Sequence, residues 1–331
     1  MKLWSDTEDF RRKSMLLGPV FLGFLILLSP WLGEIPRQAR MIPFLVSLVF
    51  LGLPHGAMDH LVPSRLSEIS RKRGVLDVSL LYLFLGGLYG LVWFVFPVAS
   101  LAAFVIITWL HWGDGDVYAV KKLWPGDVYT DRFTAAASGL LRGGIPMLIP
   151  LVAYPDLYVG FLESVQSLFM SSTGGFSVLY SESLRLAVLV LVVTLALIHF
   201  LYIYVASGRV PAYRISEISV LVVFFLVLPP VFAVGIYFCL WHSVRHLCRL
   251  SLLSGSSRQA LEKGQHRAYL YSLLRDTAPL TAVSILLLAT VTFSLQGVDL
   301  QGFVALYLVF ISVLTLPHTA LILWMDRVQY G

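Results

Sequence analysis

Residues 235–253 read GIYFCLWHSVRHLCRLSLL. The run is apolar enough to sit in a bilayer, yet His242, Arg245 and His246 lie in its middle. A helix puts His242 and His246 on one face, one turn apart, with Cβ atoms roughly 6 Å from each other. Two imidazoles so placed can reach one metal ion, as the paired histidines of zinc helices do. The bland alternative is two unrelated polar residues facing a loop or the lipid headgroups. Ionisable side chains inside a membrane helix are costly and mark functional sites by default. The remaining chain is therefore read outward from this stretch.

Composition sets the fold class. Of the 331 residues, 58% are hydrophobic and 13% charged, where soluble chains carry about 25% charged residues. Several apolar stretches reach about 18 residues, the span that crosses a bilayer. The expected fold is all-α: a polytopic transmembrane helix bundle forming a single integral membrane domain, residues 1–331. The spacing predicts ten helices, at about 15–33, 41–60, 77–97, 99–113, 133–153, 184–206, 216–234, 235–253, 278–296 and 302–324. Pro97 and the Pro229-Pro230 pair separate helices that run almost together, because proline cannot continue a helix interior without losing a hydrogen bond. The connection 154–183 is long and has room for an amphipathic helix near 157–170. Arg11, Arg12 and Lys13 lead into the apolar stretch from Met15. No small-x-small cleavage site follows, so it reads as a first membrane helix rather than a signal peptide.

The net charge of +5 acts chiefly as a topology signal. With the N-terminus inside, the inner segments collect most of the basic residues, among them Arg11, Arg12, Lys13, Arg65, Arg71, Lys72, Arg73, Lys121, Lys122, Arg132, Arg209, Arg214, Arg258, Lys263, Arg267, Arg275 and Arg327. The outer segments hold only Arg37, Arg40 and Arg185. This asymmetry fits an even number of helices with both termini inside. No basic cluster interleaved with aromatics points to nucleic acid. Cys239 and Cys248 stand nine residues apart on one predicted helix, about 13 Å of rise, too far for a disulfide.

In this scheme His55, His60, His111, His199, His242, His246 and His318 all fall on helices of one direction, at similar depth in the inner half of the membrane. Only His266 falls in a loop. A shared layer suggests a shared cavity. Asp59 follows His55 at i+4, and Asp114 follows His111 at i+3. A carboxylate so placed commonly holds a ligand's other ring nitrogen and fixes its tautomer, so both are predicted to orient histidines. Arg245 needs an anion, for which Asp59 and Asp114 are the candidates. Arg142, also at membrane depth, pairs likewise or lines a broken helix. Asp116 is assigned to the inner loop. On a regular helix His55 and His60 point about 140° apart. One of them therefore faces elsewhere, and His55 is favoured as the inward one. His318, after Pro317, fits a ligand, a supporting group or a pocket wall. His60 and His318 are thus further candidates, while His199 reads as a packing residue. Neutral imidazoles without a cysteine set suit iron, copper, zinc or nickel. Iron with open positions activates oxygen, and a site at this depth implies a lipid-soluble substrate. The many aromatics fit either a lipid-facing belt or an apolar tunnel beside the metal.

Four motifs then coincide: Gly-Leu-Pro-His-Gly-Ala-x-Asp at 52–59, His-Trp-Gly-Asp at 111–114, His-Ser-x-Arg-His at 242–246 and Pro-His at 317–318. Together they resemble the Brp/Blh family, the bacteriorhodopsin-related-protein-like β-carotene 15,15′-dioxygenases of archaea and bacteria. The resemblance runs from the second predicted helix to the tenth. It implies O₂-dependent cleavage of β-carotene at its central double bond, giving two molecules of retinal for a rhodopsin. It also implies a multi-pass protein of the cell membrane with a mononuclear Fe(II). Matched motif to motif, the implied ligands are His55, His111, His242 and His246. The family's second motif reads His-Phe-Gly where this chain has His111-Trp112-Gly113, a departure that should not change ligation. Two other readings stay open. A membrane di-iron desaturase or hydroxylase normally needs about eight clustered histidines with adjacent pairs, and this chain has no adjacent pair. A metal or solute transporter could use the histidine layer as a translocation site.

Overall fold

The computed structural model of the chain describes residues 3–32, 36, 38–123, 132–171, 174–295, 297 and 299–330. Arg37 and the predicted helix ends at 33 and 296 lie outside the described residues. No strand occurs among the described residues. The elements in order are α1 (Leu3–Leu32), α2 (Ala39–Leu66), α3 (Arg71–Val95), α4 (Pro97–Leu123), α5 (Arg132–Ala153) and α6 (Pro155–Gln166). They continue with α7 (Glu182–Ser207), α8 (Ala212–Val227), α9 (Pro230–Ser251), α10 (Gly255–Glu262), α11 (His266–Ser294) and α12 (Leu300–Tyr330). Among the described residues, nine helices are long and apolar enough to cross a membrane. The chain is an all-α polytopic bundle. The seventh predicted helix, 216–234, corresponds to α8, which has 16 residues and falls short of a full span, so nine spans stand among the described residues where ten were expected.

Burial sorts the helices into a centre and a rim. In its most apolar stretch α5 is 72% buried and α9 61%, against 17% for α11. The organising stretch thus lies on one of the two innermost helices. Its Tyr237, Phe238 and Trp241 pack with Leu221, Phe224 and Phe225 of α8 and with Leu141 and Ile145 of α5 in the largest apolar cluster. Pro229 and Pro230 separate α8 from α9, and Pro97 separates α4 from α3; Pro97 and Pro230 open their helices, where proline's missing N–H leaves no hydrogen bond unmade.

Helix α4 corrects the expectation most. It does not end near residue 113 but runs to Leu123, so Asp114 and Asp116 are helical residues. Its glycine does not terminate it because it serves contact instead. A Cβ on Gly113 would lie 2.0 Å from the carbonyl oxygen of Gly139, and one on Gly143 2.0 Å from that of Trp109. Helices α4 and α5 therefore touch backbone to backbone. Helix α11 begins at His266, so this histidine opens a helix instead of lying in a loop. Three π turns interrupt the ladders, at Leu48–Gly52 in α2, Tyr82–Gly86 in α3 and Phe238–Ser243 in α9. Such turns appear frequently at functional sites, and all three flank the centre described next.

Candidate metal centre

Five imidazoles converge from four helices. His55 comes from α2, His111 from α4, His242 and His246 from α9, and His318 from α12. Their ring centroids lie between 4.8 and 6.3 Å apart in eight pairwise contacts. His242 and His246 stand in parallel, one turn apart, with centroids 6.2 Å from each other and planes 11° apart. Candidate ligand atoms of His55, His111 and His318 fall within 4.8 Å of one another, as do those of Asp59, His246 and His318.

The chemistry of this donor set fits a metal ion. The Nε2 atoms of His111, His242, His246 and His318 are all buried without a hydrogen-bond partner. A buried polar atom left unpaired costs on the order of 1–3 kcal/mol. Four of them in one place call for a common partner, and a cation bound through neutral imidazoles supplies one. Two rings have their other nitrogen anchored. His55 Nδ1 donates to the carbonyl of Gly52, and His318 Nδ1 donates to Asp59 Oδ2 at 2.6 Å. Each anchor leaves Nε2 as a lone pair, the arrangement that holds metal-ligating histidines in register. Tyr82 donates to the same Asp59 oxygen at 2.5 Å.

Several expected pairings resolve differently. Asp59 orients His318 across the bundle and not His55 at i−4. The π turn before Pro54 and the break at Ala57-Met58 turn the two residues off a common regular face. Asp114 does not hold His111. It is half-buried against Gly139 of α5, where a Cβ would meet its Oδ1 at 3.2 Å. His60 stays outside the cluster, with its Nδ1 donating to the carbonyl of Ala57 at 2.9 Å. His199 bonds Ser138 Oγ through Nδ1 at 2.6 Å and packs on Phe200.

Arg245 pairs with neither Asp59 nor Asp114. It bonds Asp116, Glu217 of α8 at 2.8 Å, and the carbonyl of Met15 in α1 at 3.0 Å. Arg142 of α5 reaches the same two carboxylates, Glu217 at 2.9 Å. The indole of Trp241 donates to Asp116 at 3.0 Å. Asp116, set aside above as a loop residue, is the hub of a buried ionic network directly behind the two histidines of α9. Glu217 and Tyr82 were missed. A lone carboxylate at the start of an apolar run was a signal for Glu217. Tyr82 gave none, since its partner lies on another helix.

Two apolar cavities meet at the cluster. His55, Phe238, Ile311, Thr315 and His318 line both. One is bounded by α4, α5, α6, α9 and α12 and reaches His111. The other runs between α2, α3, α11 and α12, past Asp59 and Tyr82. His242 and His246 line neither and form the back of the centre.

Fold and site together define a class: an integral membrane helix bundle with a buried cluster of five histidines, fit to hold a metal, between two apolar cavities. The comparison with known proteins narrows it. The family model for beta-carotene 15,15′-dioxygenase matches residues 46–326. A probable beta-carotene 15,15′-dioxygenase Blh of Halobacterium salinarum is 38% identical over 329 residues, covering 96% of this chain and 93% of the relative. A probable beta-carotene 15,15′-dioxygenase Brp of the same organism is 26% identical, covering 89% and 86%. A beta-carotene 15,15′-dioxygenase of an uncultured marine bacterium is 27% identical, covering 84% and 91%. The chain belongs to the beta-carotene 15,15′-dioxygenase family. No solved structure matches it.

Proposed function

We propose that this chain, as one integral membrane domain, binds β-carotene and O₂ and cleaves the central 15,15′ double bond to two molecules of retinal. The carrying observation is the five-imidazole cluster at the point where two apolar cavities meet. A long symmetric polyene with one arm in each cavity has its middle at the metal. The names of the relatives support β-carotene as substrate.

The proposed metal is Fe(II), held by His55, His111, His242 and His246, with His318 as a fifth donor or as a group fixed by Asp59 just beside it. When bound, the iron supplies the activation of O₂, and the protein supplies position and a dry cavity. The reaction balances without a reductant: one carbon–carbon double bond is lost, and each oxygen atom of O₂ ends in one aldehyde. His55 and His318 face the polyene from both cavities, while Phe238 and Ile311 press on its middle. Asp59 keeps His318 in one tautomer, and Tyr82 keeps Asp59 in place. Trp112 stacks on Phe238 with centroids 6.0 Å apart and backs His242, a role that its aromatic ring fills as the family's phenylalanine would. The plasma membrane is the proposed location, and a rhodopsin apoprotein the proposed acceptor of the product. No observation favours a desaturase or a permease.

The test is expression in cells that make β-carotene, with lipid extraction and assay of retinal and bound metal. Wild type is expected to consume carotene and yield retinal with one iron per chain, while His242→Ala yields neither retinal nor bound iron. Intact carotene in cells holding iron-loaded protein would overturn the substrate. Loss of carotene unchanged by His242→Ala would overturn the site.

A further inference from the structure

The two cavities differ in a way that the reaction can use. Around the groove between α3 and α11, Leu83, Gly87, Leu280, Val283 and Leu287 are exposed. In a membrane these rim residues face acyl chains, so the groove opens sideways into lipid. The cavity bounded by α4, α5, α6, α9 and α12 has no exposed residue in its wall. It extends along α4 from His111 back to Leu101 and along α12 from His318 back to Leu308, ten residues in each case. That is about 15 Å of helix, room for half an extended carotenoid with its terminal ring. Helix α6 lies across its far end. Leu162 and its neighbours Val159 and Val165 pack there against Leu101, Ala305 and Val309, while Tyr158, Phe161 and Leu162 face the cavity.

We infer that α6 is a stop that measures the substrate. One end of the carotenoid enters from lipid through the α3–α11 groove, passes the histidines and abuts Phe161 and Leu162. The depth of the cavity that α6 closes off then decides which double bond lies at the metal, and the groove accommodates the rest. Phe161 and Leu162 are the specificity-determining residues, and the groove is the entry. This rests on the carotenoid-cleavage reading. It adds what that reading leaves open, namely why the cut falls at the centre.

Purified iron-loaded protein is given β-carotene, and the aldehydes are separated by chain length. Each turnover breaks one double bond and places one oxygen atom of O₂ on each fragment, so the two aldehydes together retain all the carbons of the substrate. Wild type is expected to give retinal alone; failure here sinks the cleavage reading itself. Leu162→Ala and Phe161→Ala deepen the cavity, and each is expected to add a pair of unequal apocarotenals, one longer than retinal and one shorter. Iron content equal to wild type certifies the fold. Gly90 lines the groove with open space around it, the nearest foreign atom to a Cβ there being Val313 Cγ2 at 3.9 Å. Gly90→Phe is expected to slow turnover several-fold without altering product lengths. Both deepened variants giving retinal alone at full iron content would overturn the inference.

A second measurement needs no variant. An apocarotenal shortened at one end is offered to wild type. Its apolar ring end should enter the cavity beneath α6, because burying the aldehyde there without a partner is unfavourable. A cut measured from the ring still releases retinal. A cut at the new midpoint of the shortened chain overturns the stop.

Discussion

The carboxylate of Asp59 is buried, and one of its oxygens receives both Tyr82 at 2.5 Å and His318 at 2.6 Å. Neutralising it while keeping its shape, Asp59→Asn, should leave the fold intact but loosen the tautomer and angle of His318. Partners that orient metal-bound histidines are worth roughly 10–100-fold in metal affinity. A loss of that size is expected in an iron titration of purified protein, and unaltered affinity would remove His318 from the metal's environment. Tyr82→Phe removes one bond to the same oxygen and should cost less than Asp59→Asn in the same titration. At this scale the sequence showed chemistry more readily than pairing. The i,i+4 spacing made His242 and His246 legible as a unit, because both sit on one helix. Asp59 was legible as an orienting group but not as His318's, since that contact joins residues 259 positions apart across a helix bent by a π turn.

Apolar runs made most helices legible, because a bilayer demands length and hydrophobicity from each span separately. What lies between helices was hidden. Gly113 looks like a helix end but is a contact point, and the run to Leu123 places Asp116 inside the bundle. Gly113→Ala and Gly143→Ala each put a Cβ 2.0 Å from a carbonyl oxygen of the facing helix, where only backbone can give way. Overpacking costs typically about 1–3 kcal/mol and occasionally more, and the rigid contact puts these substitutions at the upper end. Thermal unfolding in detergent should show a clear drop for both, with lowered retinal formation because His111 moves with α4. Gly23→Ala in α1 is the control. Nothing lies within 4 Å of a Cβ there, and alanine in a helix gains up to about 1 kcal/mol over glycine, so stability should hold or rise. Equal losses in all three would refute the close-contact account.

The whole molecule is held at its centre by two devices side by side, the imidazole cluster and the ionic network of Asp116, Glu217, Arg142 and Arg245. They predict different responses. A metal that binds only the folded chain stabilises it by about 2.7 kcal/mol when present at one hundred times its dissociation constant. Chelation should therefore lower the melting temperature of wild type and leave that of His242→Ala unmoved. The network answers to charge instead. Asp116 sits between the guanidinium groups of Arg142 and Arg245, all three at most 3% exposed. Breaking a buried pair by removing one partner costs about 3–5 kcal/mol, because the remaining charge stays buried without compensation. Asp116→Asn should lower stability by that order with or without chelator, although the amide oxygen can still accept from Trp241. Adding Arg245→Met to Asp116→Asn should restore part of the loss, since it removes a cation that no longer has its full anionic partner. That non-additivity is the signature of coupled groups, and a double variant whose loss equals the sum of the two single losses would show that the four charges act separately. Because the network touches α1, α4, α5, α8 and α9 and lies behind His242 and His246, its rupture should also spread the proposed metal donors, and metal bound by the purified protein should fall in step with stability.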